Sequence, residues 1–236
     1  MIFLLDEKNP QAPFPPVERA EREPNGLLAV GGDLRPERLL NAYRNGIFPW
    51  YSEQQPILWW SPDPRMLLFP GKIKLSRSLR KSLRNRPYQV TFDRAFTKVM
   101  QACAEPRATT DETWITAEML SAYTHLHALG HAHSVEVWTQ QKLVGGLYGV
   151  ACGRVFFGES MFSRERDASK VALAHLCRLL ARWEFRLIDC QVYSGHLLSL
   201  GAEQCSRAEF CQLLRRYRDA QAAPADWSDQ NITEGW

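Results

Sequence analysis

The segment L-I-D-C-Q-V, residues 187–192, places two polar side chains in an otherwise apolar stretch that is typical of a β-strand. Because side chains alternate along a strand, Asp189 and Gln191 are expected to share one face of it. A buried carboxylate or amide is costly unless it has a partner or a function. Taken alone, Asp189 fits either a structural carboxylate or a general base.

A second acidic residue lies upstream, in the segment G-R-V-F-F-G-E-S-M-F-S, which places Glu159 at the end of another predicted strand. A helix is predicted between the two strands, from about Ala168 to Trp183, because its leucines recur at helical spacing. A strand–helix–strand unit requires a right-handed crossover and makes its two strands parallel. We therefore expect Glu159 to lie near Asp189 and Gln191.

The elements that position these residues follow from hydrophobic periodicity. From Tyr88 onward the pattern predicts the order β-α-α-β-β-β-α-β-α. Asp93 and Thr116 are expected to cap the first two of these helices, and Ser206 with Glu209 forms a capping box before the last helix. The predicted fold class is α+β.

The chain before this region has a different composition, rich in Pro, Gly and Trp, with one short helix predicted between an N-cap at Asp33 and a stop at Gly46. The double proline of S-P-D-P is a natural boundary. We therefore expect a small N-terminal α/β domain over residues 1–63 and a second domain over residues 64–236. The polar residues from about 219 onward lack periodicity and are expected to form a loose tail.

Charge is unevenly distributed in this chain of 236 residues, although its formal net charge is only +3. No acidic residue occurs between Asp63 and Asp93. The basic residues within that stretch are Arg65, Lys72, Lys74, Arg77, Arg80, Lys81, Arg84 and Arg86. The stretch fits a phosphate-binding surface, and equally a surface helix whose acidic partners come from elsewhere.

The cellular compartment is indicated by what the sequence lacks. The six cysteines include no C-x-x-C pair and mostly sit in apolar segments, as buried thiols do in a reducing compartment. The N-terminal M-I-F-L-L-D is too short for a signal peptide, and no apolar run approaches the length that crosses a bilayer. We expect a cytoplasmic protein without a membrane partner.

The sequence gives little support for a metal site or for a covalent mechanism. Among the histidines of H-L-H-A-L-G-H-A-H, His127 and His131 have helical spacing, but Gly130 interrupts the helix between them. No metal is therefore expected. Cys190 faces away from Asp189, and Ser160 lacks the spacing of a nucleophile elbow.

The predicted strand order matches the acyltransferases of the GNAT type, which hold the coenzyme A pyrophosphate at a glycine-rich turn before the long helix. Here the turn, residues 161–170, contains no glycine, so backbone amides could hardly approach a pyrophosphate. A GNAT-like domain with another acyl donor is therefore favoured over a coenzyme A-dependent N-acetyltransferase. A non-catalytic RNA-binding protein is a third hypothesis, since tryptophans in loops beside a basic patch suit stacking on bases.

A series of longer motifs resembles the bacterial leucyl/phenylalanyl-tRNA–protein transferases. In chain order between Glu23 and Gly201 they are E-P-N-G-L-L-A-V-G-G-D-L, G-I-F-P-W, I-L-W-W-S-P-D-P-R, T-W-I-T, L-G-H-A-H-S-V-E-V-W, L-V-G-G-L-Y-G-V, F-G-E-S-M-F-S, A-S-K and L-I-D-C-Q-V. The resemblance implies an aminoacyltransferase that moves Leu, Phe or, less readily, Met from aminoacyl-tRNA to an N-terminal Arg or Lys of a protein. Its product is a degradation signal of the N-degron pathway, and the family needs neither metal nor coenzyme.

The resemblance also implies roles for individual residues. Asp189 and Gln191 match the polar pair that guides the attacking amine, and Glu159 matches the acidic residue of the site. Trp50 and Trp114 match aromatic contacts to the terminal adenosine or its aminoacyl group. The aminoacyl side-chain pocket would draw on Leu147, Phe156, Leu173, Leu176 and Ile188. A member of the family has a Met in place of Leu147 and a Phe in place of Leu176, so the substrate class should hold while the preference among Leu, Phe and Met is left open. The acceptor stem of the tRNA would bind Lys72, Lys74, Arg77, Arg80, Lys81 and Arg84.

Overall fold

The computed structural model describes residues 2–105, 114–221, 226–228 and 230. Its strands form two sheets of mixed direction, which confirms the α+β class. In the first sheet, with the order β1-β2-β4-β3, the strands are β1 (Phe3–Leu5), β2 (Leu27–Gly31), β3 (Phe48–Pro49) and β4 (Leu58–Trp60). In the second sheet, with the order β11-β5-β10-β9-β8-β7-β6, they are β5 (Arg65–Leu68), β6 (Gln89–Phe92), β7 (Ala132–Thr139), β8 (Lys142–Cys152), β9 (Val155–Ser163), β10 (Leu187–Asp189) and β11 (Glu203–Cys205).

Helices cover both faces of the second sheet. Within the described residues they are α1 (Pro36–Arg44), α2 (Arg77–Asn85), α3 (Phe96–Ala104), α4 (Ala117–Ala128), α5 (Ala168–Arg182), α6 (Gly195–Ser199) and α7 (Arg207–Tyr217). Short 3-10 turns occur at Val17–Arg19 and Pro70–Lys72. The predicted order from β6 to β10 is confirmed, whereas α6 and β11 were not predicted. No described helix is long and apolar enough to cross a membrane.

The predicted crossover is present: α5 joins β9 to β10, and these two strands pair in parallel. The sheet separates two apolar layers, since alternate strand residues point to opposite faces. On one face Tyr148 and Phe157 pack with residues of α1, α3, α4 and α7. On the other face Leu147 and Phe156 pack with residues of α2 and α5. Of the predicted site residues, Glu159 lies on β9, Asp189 is the last residue of β10, and Gln191 follows it.

Two of the four predicted helix caps are confirmed and two are wrong. Thr116 caps α4, and Ser206 with Glu209 forms the capping box of α7. In contrast, Arg35 is the N-cap of α1, and Asp33 instead accepts hydrogen bonds from the Arg35 backbone and side chain. Ala95 is the N-cap of α3.

Asp93 has another function in the structure. Its carboxylate bonds to Ser134 N and His133 Nδ1, each at 2.7 Å, and so ties the start of α3 to β7. The sequence pattern could not distinguish this contact across the sheet from a local cap.

The C-terminal segment is not loose throughout. The side chain of Trp227 is 1% exposed and its ring stacks on His133, with 3.8 Å between the ring centroids. It also packs beside Phe156, Trp183 and Phe185. The expectation of a loose tail from about 219 is therefore wrong at Trp227, because this one aromatic residue covers an apolar face.

The predicted boundary at residue 63 falls between the last strand of the first sheet and the first strand of the second. The apolar core nevertheless continues across it, since Tyr43 and Trp59 belong to the same cluster as Tyr148 and Phe157. The division into domains 1–63 and 64–236 stays a prediction.

Candidate active site

A cavity of about 820 Å³ opens where the two parallel strands separate. β9 and β10 pair only where Val155–Phe157 lies beside Leu187–Asp189, and β9 then continues to Ser163. The segment after β10 turns away from β9, because Gln191 adopts a left-handed conformation with φ of 58°. The expectation that Asp189 and Gln191 share one strand face is therefore wrong: β10 ends before Gln191.

A β-bulge aims Glu159 at this opening. In the β8–β9 register Tyr148 lies opposite Ser160 and Gly149 opposite Gly158, which leaves Glu159 as the extra residue. A Cβ atom at Gly149 would lie 2.1 Å from the Phe157 carbonyl oxygen, so no larger residue fits there. Bulges locally reverse the alternation of a strand and re-aim its side chains.

Three donors surround the Glu159 carboxyl group. Tyr43 donates to Oε1 at 2.8 Å, the Tyr123 hydroxyl lies 3.5 Å from Oε2, and Gln191 Nε2 donates to Oε1 at 3.2 Å. The hydroxyls of Tyr43 and Tyr123 are also hydrogen-bonded to each other. Burial raises the pKa of Glu159 to about 8, against the opposing effect of the Tyr43 hydrogen bond and with a further increase from the Asp189 charge. Glu159 is therefore a carboxyl group that can change protonation near neutral pH.

Asp189 has a different environment, because Arg65 engages both of its oxygens. Arg65 Nε lies 2.9 Å from Oδ1 and Nη2 lies 2.6 Å from Oδ2, and both side chains are 0% exposed. The Arg65 guanidinium also lies over the rings of Phe48 and Phe210, at 4.9 and 4.5 Å from their centroids. Arg65 is thus not part of a surface patch, although the sequence places it in the basic stretch.

Asp189 reaches the cavity only through its neighbour. Its Oδ1 accepts a hydrogen bond from the backbone N–H of Gln191 at 2.9 Å. Asp189 itself is not among the residues that line the cavity, whereas Gln191 and Glu159 are. The contact fixes the left-handed turn that aims the Gln191 side chain at Glu159.

The apolar part of the cavity contains all five residues expected in the aminoacyl side-chain pocket. Leu147, Phe156, Leu173, Leu176 and Ile188 all line it. Additional lining residues that the sequence did not single out are Met161, Cys190, Val192 and Leu197.

The two tryptophans expected at the aminoacyl-adenosine are separated. Trp114 lines the cavity, but Trp50 does not, and Trp50 is 44% exposed. The Trp50 ring packs against Trp60 with 6.0 Å between their centroids.

The basic stretch forms an exposed surface that contacts two helices of the cavity wall. Lys72, Lys74, Arg77, Arg80, Lys81 and Arg84 are all exposed on α2 and the turn before it. Ser82 on the inner face of α2 donates to Asp167 at 2.8 Å, and Lys74 N donates to Leu200 O at 2.8 Å. Both contacts connect this surface to elements whose residues line the cavity, α5 and α6.

The turn before α5 carries a carboxylate instead of a glycine. Asp167 is the N-cap residue with φ of 61°, and its side chain also bonds to Lys170 at 3.0 Å. The Asp167 side chain makes no capping hydrogen bond to the helix, but its negative charge at the helix N-terminus disfavours a phosphate there.

Two histidines of the H-L-H-A-L-G-H-A-H segment have structural contacts. His127 stacks on Phe96 at 4.3 Å and bonds to Ala132 O, and His133 bonds to Asp93. Within the described residues no group of three or more potential metal ligands converges.

Three residues that contact the predicted site residues were not predicted from the sequence: Tyr43, Tyr123 and Arg65. Tyr123 lies at helical spacing among apolar residues, and Tyr43 lies in the short helix after Asp33, so neither differs in sequence from an ordinary core residue. Arg65 carried a signal, because it begins a strand of buried residues and a buried charge needs a partner.

The fold was compared with solved structures. A GCN5-related N-acetyltransferase from Kribbella flavida aligns with a TM-score of 0.35 and 11% identity, covering 72% of this chain and 61% of that chain. The structure of L-PGS from Bacillus licheniformis aligns with a TM-score of 0.38 and 8% identity, covering 71% and 54%. Similarity this low carries no conclusion about the reaction.

Comparison at the level of sequence identifies the family. Models described as leucyl/phenylalanyl-tRNA protein transferase and as the N-terminal domain of that protein match residues 67–215 and 32–63. Leucyl/phenylalanyl-tRNA–protein transferases from Azoarcus sp. (strain BH72) and Stutzerimonas stutzeri (strain A1501) are 59% and 61% identical. The alignments cover 94% and 91% of this chain, and 94% of each relative. The chain therefore belongs to the leucyl/phenylalanyl-tRNA–protein transferase family and is an aminoacyltransferase.

Proposed function

We propose that this protein transfers Leu or Phe, and less readily Met, from aminoacyl-tRNA to an N-terminal Arg or Lys of an acceptor protein. The observation that carries the proposal is one cavity with two kinds of lining. Leu147 and Phe156 are among its apolar residues, and Glu159 and Gln191 are among its polar residues. An apolar aminoacyl side chain suits the first group, and a polar amine suits the second.

The reaction needs positioning more than activation. An aminoacyl ester is already activated, and an α-amino group has a pKa of about 7.7–8.0, so it is partly neutral at pH 7. Holding the amine against the ester then supplies much of the rate. Because the Gln191 amide nitrogen donates to Glu159, the amide oxygen is the end of the side chain that can accept a hydrogen bond from the amine.

Asp189 acts in this scheme as a positioning residue. Its carboxylate is held by Arg65 and is buried away from the cavity. Its hydrogen bond to the Gln191 backbone sets the turn from which the Gln191 side chain projects. Asp189 therefore aims the amide without taking part in proton transfer.

The tRNA would approach over the basic surface of Lys72, Lys74, Arg77, Arg80, Lys81 and Arg84. Phosphate contacts of this kind carry no sequence information, which suits a donor recognised mainly through its aminoacylated end. Trp114 at the cavity and the exposed Trp50 offer rings on which the terminal adenine could stack. The coenzyme A alternative is disfavoured by Asp167 at the start of α5.

The acceptor chemistry and its consequence belong to the same proposal. A cationic Arg or Lys side chain next to the attacking amine is attracted by the negative charge of an ionised Glu159. The product would carry Leu, Phe or Met at its N-terminus and serve as a degradation signal of the N-degron pathway in the cytoplasm.

The test uses the intact protein with radiolabelled Leu-tRNA and a peptide that begins with Arg. Leucine should appear on that peptide, and not on the same peptide with an acetylated N-terminus. A parallel reaction with labelled acetyl-coenzyme A should give no product. If the peptide receives acetyl but no leucine, the proposal is wrong and the acetyltransferase alternative is correct.

A further inference from the structure

Tyr43, Tyr123 and Glu159 form a closed ring of hydrogen bonds with an unusual proton requirement. The ring has three contacts: Tyr43 to Glu159 Oε1, Tyr43 to Tyr123, and Tyr123 to Glu159 Oε2. Each contact needs one proton, but each tyrosine hydroxyl supplies only one and an ionised carboxylate supplies none. All three contacts can therefore form together only when Glu159 carries a proton.

The two tyrosine protons cannot serve all three contacts. With Tyr43 donating to Oε1 and Tyr123 donating to Oε2, neither hydroxyl has a proton left for the contact between them, so only a proton on the carboxyl group can complete the ring. When Glu159 ionises, one contact must open. The contact between the two neutral hydroxyls is the one expected to open, because each tyrosine can then donate its single proton to the carboxylate.

Other charged and titratable groups lie around the ring. Burial first, and then the Glu159 charge, raise the pKa of Tyr148 on β8, with a smaller contribution from Cys103, and Tyr51 acts in the same way on Tyr123. Beyond the effect of burial, the charge of Asp189 on β10 raises the pKa of Glu159 and that of Arg65 on β5 lowers it. Asp189 and Arg65 are paired with each other, so their effects largely oppose. The Glu159 carboxyl group thus lines the cavity with the hydroxyls of Tyr43 and Tyr123 and the amide of Gln191 as its hydrogen-bond partners.

We propose that Glu159 is the proton acceptor of the reaction, taking a proton from the α-ammonium group of the acceptor and passing it into the ring with Tyr43 and Tyr123. This inference rests on the proposed function and adds a catalytic role that Asp189, held by Arg65, does not fill. Tyr43 and Tyr123 act as positioning residues, since they hold the carboxyl group and its proton.

The step balances. The ammonium group gives one proton to ionised Glu159, and the resulting amine attacks the ester carbonyl carbon. The new C–N bond forms, the bond from the carbonyl carbon to the ribose oxygen breaks, and the second amine proton passes to that oxygen, which leaves as a hydroxyl. Glu159 then returns its proton to solvent.

Glu159→Gln is a well-matched test variant, because its amide offers one acceptor and one donor and so imitates the protonated carboxyl group in the ring. It is assayed with Leu-tRNA and two acceptors: the Arg peptide, and the same peptide with its α-amine replaced by an aminooxy group that is uncharged at neutral pH. We expect transfer to the amine to fall by about 100-fold or more, and transfer to the aminooxy acceptor to fall less than about tenfold.

Equal losses with both acceptors, or no loss with either, would overturn the proposal. Failure of the wild-type protein to transfer leucine to the Arg peptide would instead overturn the proposed function itself. The two failures are therefore distinguishable.

A second measurement does not depend on activity. Infrared difference spectra between wild type and Glu159→Gln isolate the carboxyl stretch of Glu159 and follow its titration. Tyr123→Phe removes the hydrogen bond that Tyr123 donates to Glu159 Oε2 and that lowers the pKa of this carboxyl group, so it should shift the titration to higher pH. A carboxyl group already fully ionised at about pH 6 in the wild type, or an unshifted titration in the variant, would contradict the role of the ring.

Discussion

The Arg65 guanidinium and the Asp189 carboxylate form a two-point ion pair, at 2.9 and 2.6 Å, between two side chains that are 0% exposed. Breaking such a pair by changing one partner leaves a buried charge without compensation, at a cost of about 3–5 kcal/mol. Asp189→Asn should therefore lower the free energy of unfolding by this amount, as measured by urea denaturation.

A double variant separates structure from chemistry. Arg65→Met with Asp189→Leu removes both charges and should recover much of the stability, because apolar replacements of buried pairs are often neutral. Activity should stay low, since the Gln191 backbone N–H then lacks its acceptor. Full activity in the double variant would show that Asp189 does not position Gln191.

The proposed aminoacyl pocket gives a prediction about selectivity. Leu147→Ala enlarges the apolar part of the cavity and should change the ratio of Phe to Leu transfer by about tenfold or more, since one methylene is worth about 1–3 kcal/mol in such a pocket. The measurement is kcat/KM for both charged tRNAs. The affinity for tRNA should change little, and equal losses with both donors would contradict the assignment.

The basic surface should determine the salt dependence of tRNA binding. Arg77→Glu with Lys81→Glu should weaken binding and reduce the slope of log affinity against log salt by about 0.7–0.9 for each phosphate that is no longer neutralised. The matched control is Arg215→Glu with Arg216→Glu, which changes two arginines in the last turn of α7. If both double variants behave alike, α2 is not the tRNA-binding surface.

Glu159 should make stability depend on pH. Its pKa is about 8 in the folded protein, against about 4.3 for an unfolded glutamate. The folded state therefore holds this proton more tightly, and stability should fall as the pH rises from about 4 through about 8. Glu159→Gln lacks the titration, so the difference in unfolding free energy between wild type and variant should change across this range and be constant above it.

Trp227 gives a prediction for the C-terminal segment. Replacing a buried Trp by Ala costs about 3–5 kcal/mol, and each kcal/mol lowers the Tm by about 2–4 °C in a chain of this size. Trp227→Ala should therefore unfold about 6–20 °C earlier in a thermal scan. Ser228→Ala, which removes only a local hydrogen bond to Asp226, should change the Tm little.

Sequence alone predicts the parts of this fold that depend on local pattern. The leucine spacing of α5, the Thr116 cap and the capping box at Ser206 all follow from residues close together in the chain. The parallel β9–β10 pair was also predictable, because chirality leaves one way to connect a strand, a helix and a second strand. The five residues of the aminoacyl pocket came from the family resemblance and were brought together by the structure.

What could not be predicted depends on contacts between distant segments. Tyr43 is 116 residues from Glu159, and Arg65 is 124 residues from Asp189. The bulge at Glu159 and the left-handed Gln191 reverse the side-chain alternation on which strand predictions rest. Residues near Tyr43 or Arg65 in the sequence give no sign of these distant partners. A buried Tyr in a helix therefore looks like any other apolar helix residue.

The Tyr43–Glu159 contact has a consequence for how the chain can be divided. Tyr43 comes from the short first helix, before the boundary at residue 63, and Glu159 from the larger sheet after it. Phe48, which packs on the Arg65 that holds Asp189, also precedes the boundary. A gene fragment that encoded only residues 64–236 would thus carry every acidic residue of the centre but not the hydroxyl or the ring that fix them. The N-terminal segment is therefore an integral part of the proposed catalytic centre, and mutations that detach it should inactivate the enzyme even where the larger sheet stays folded.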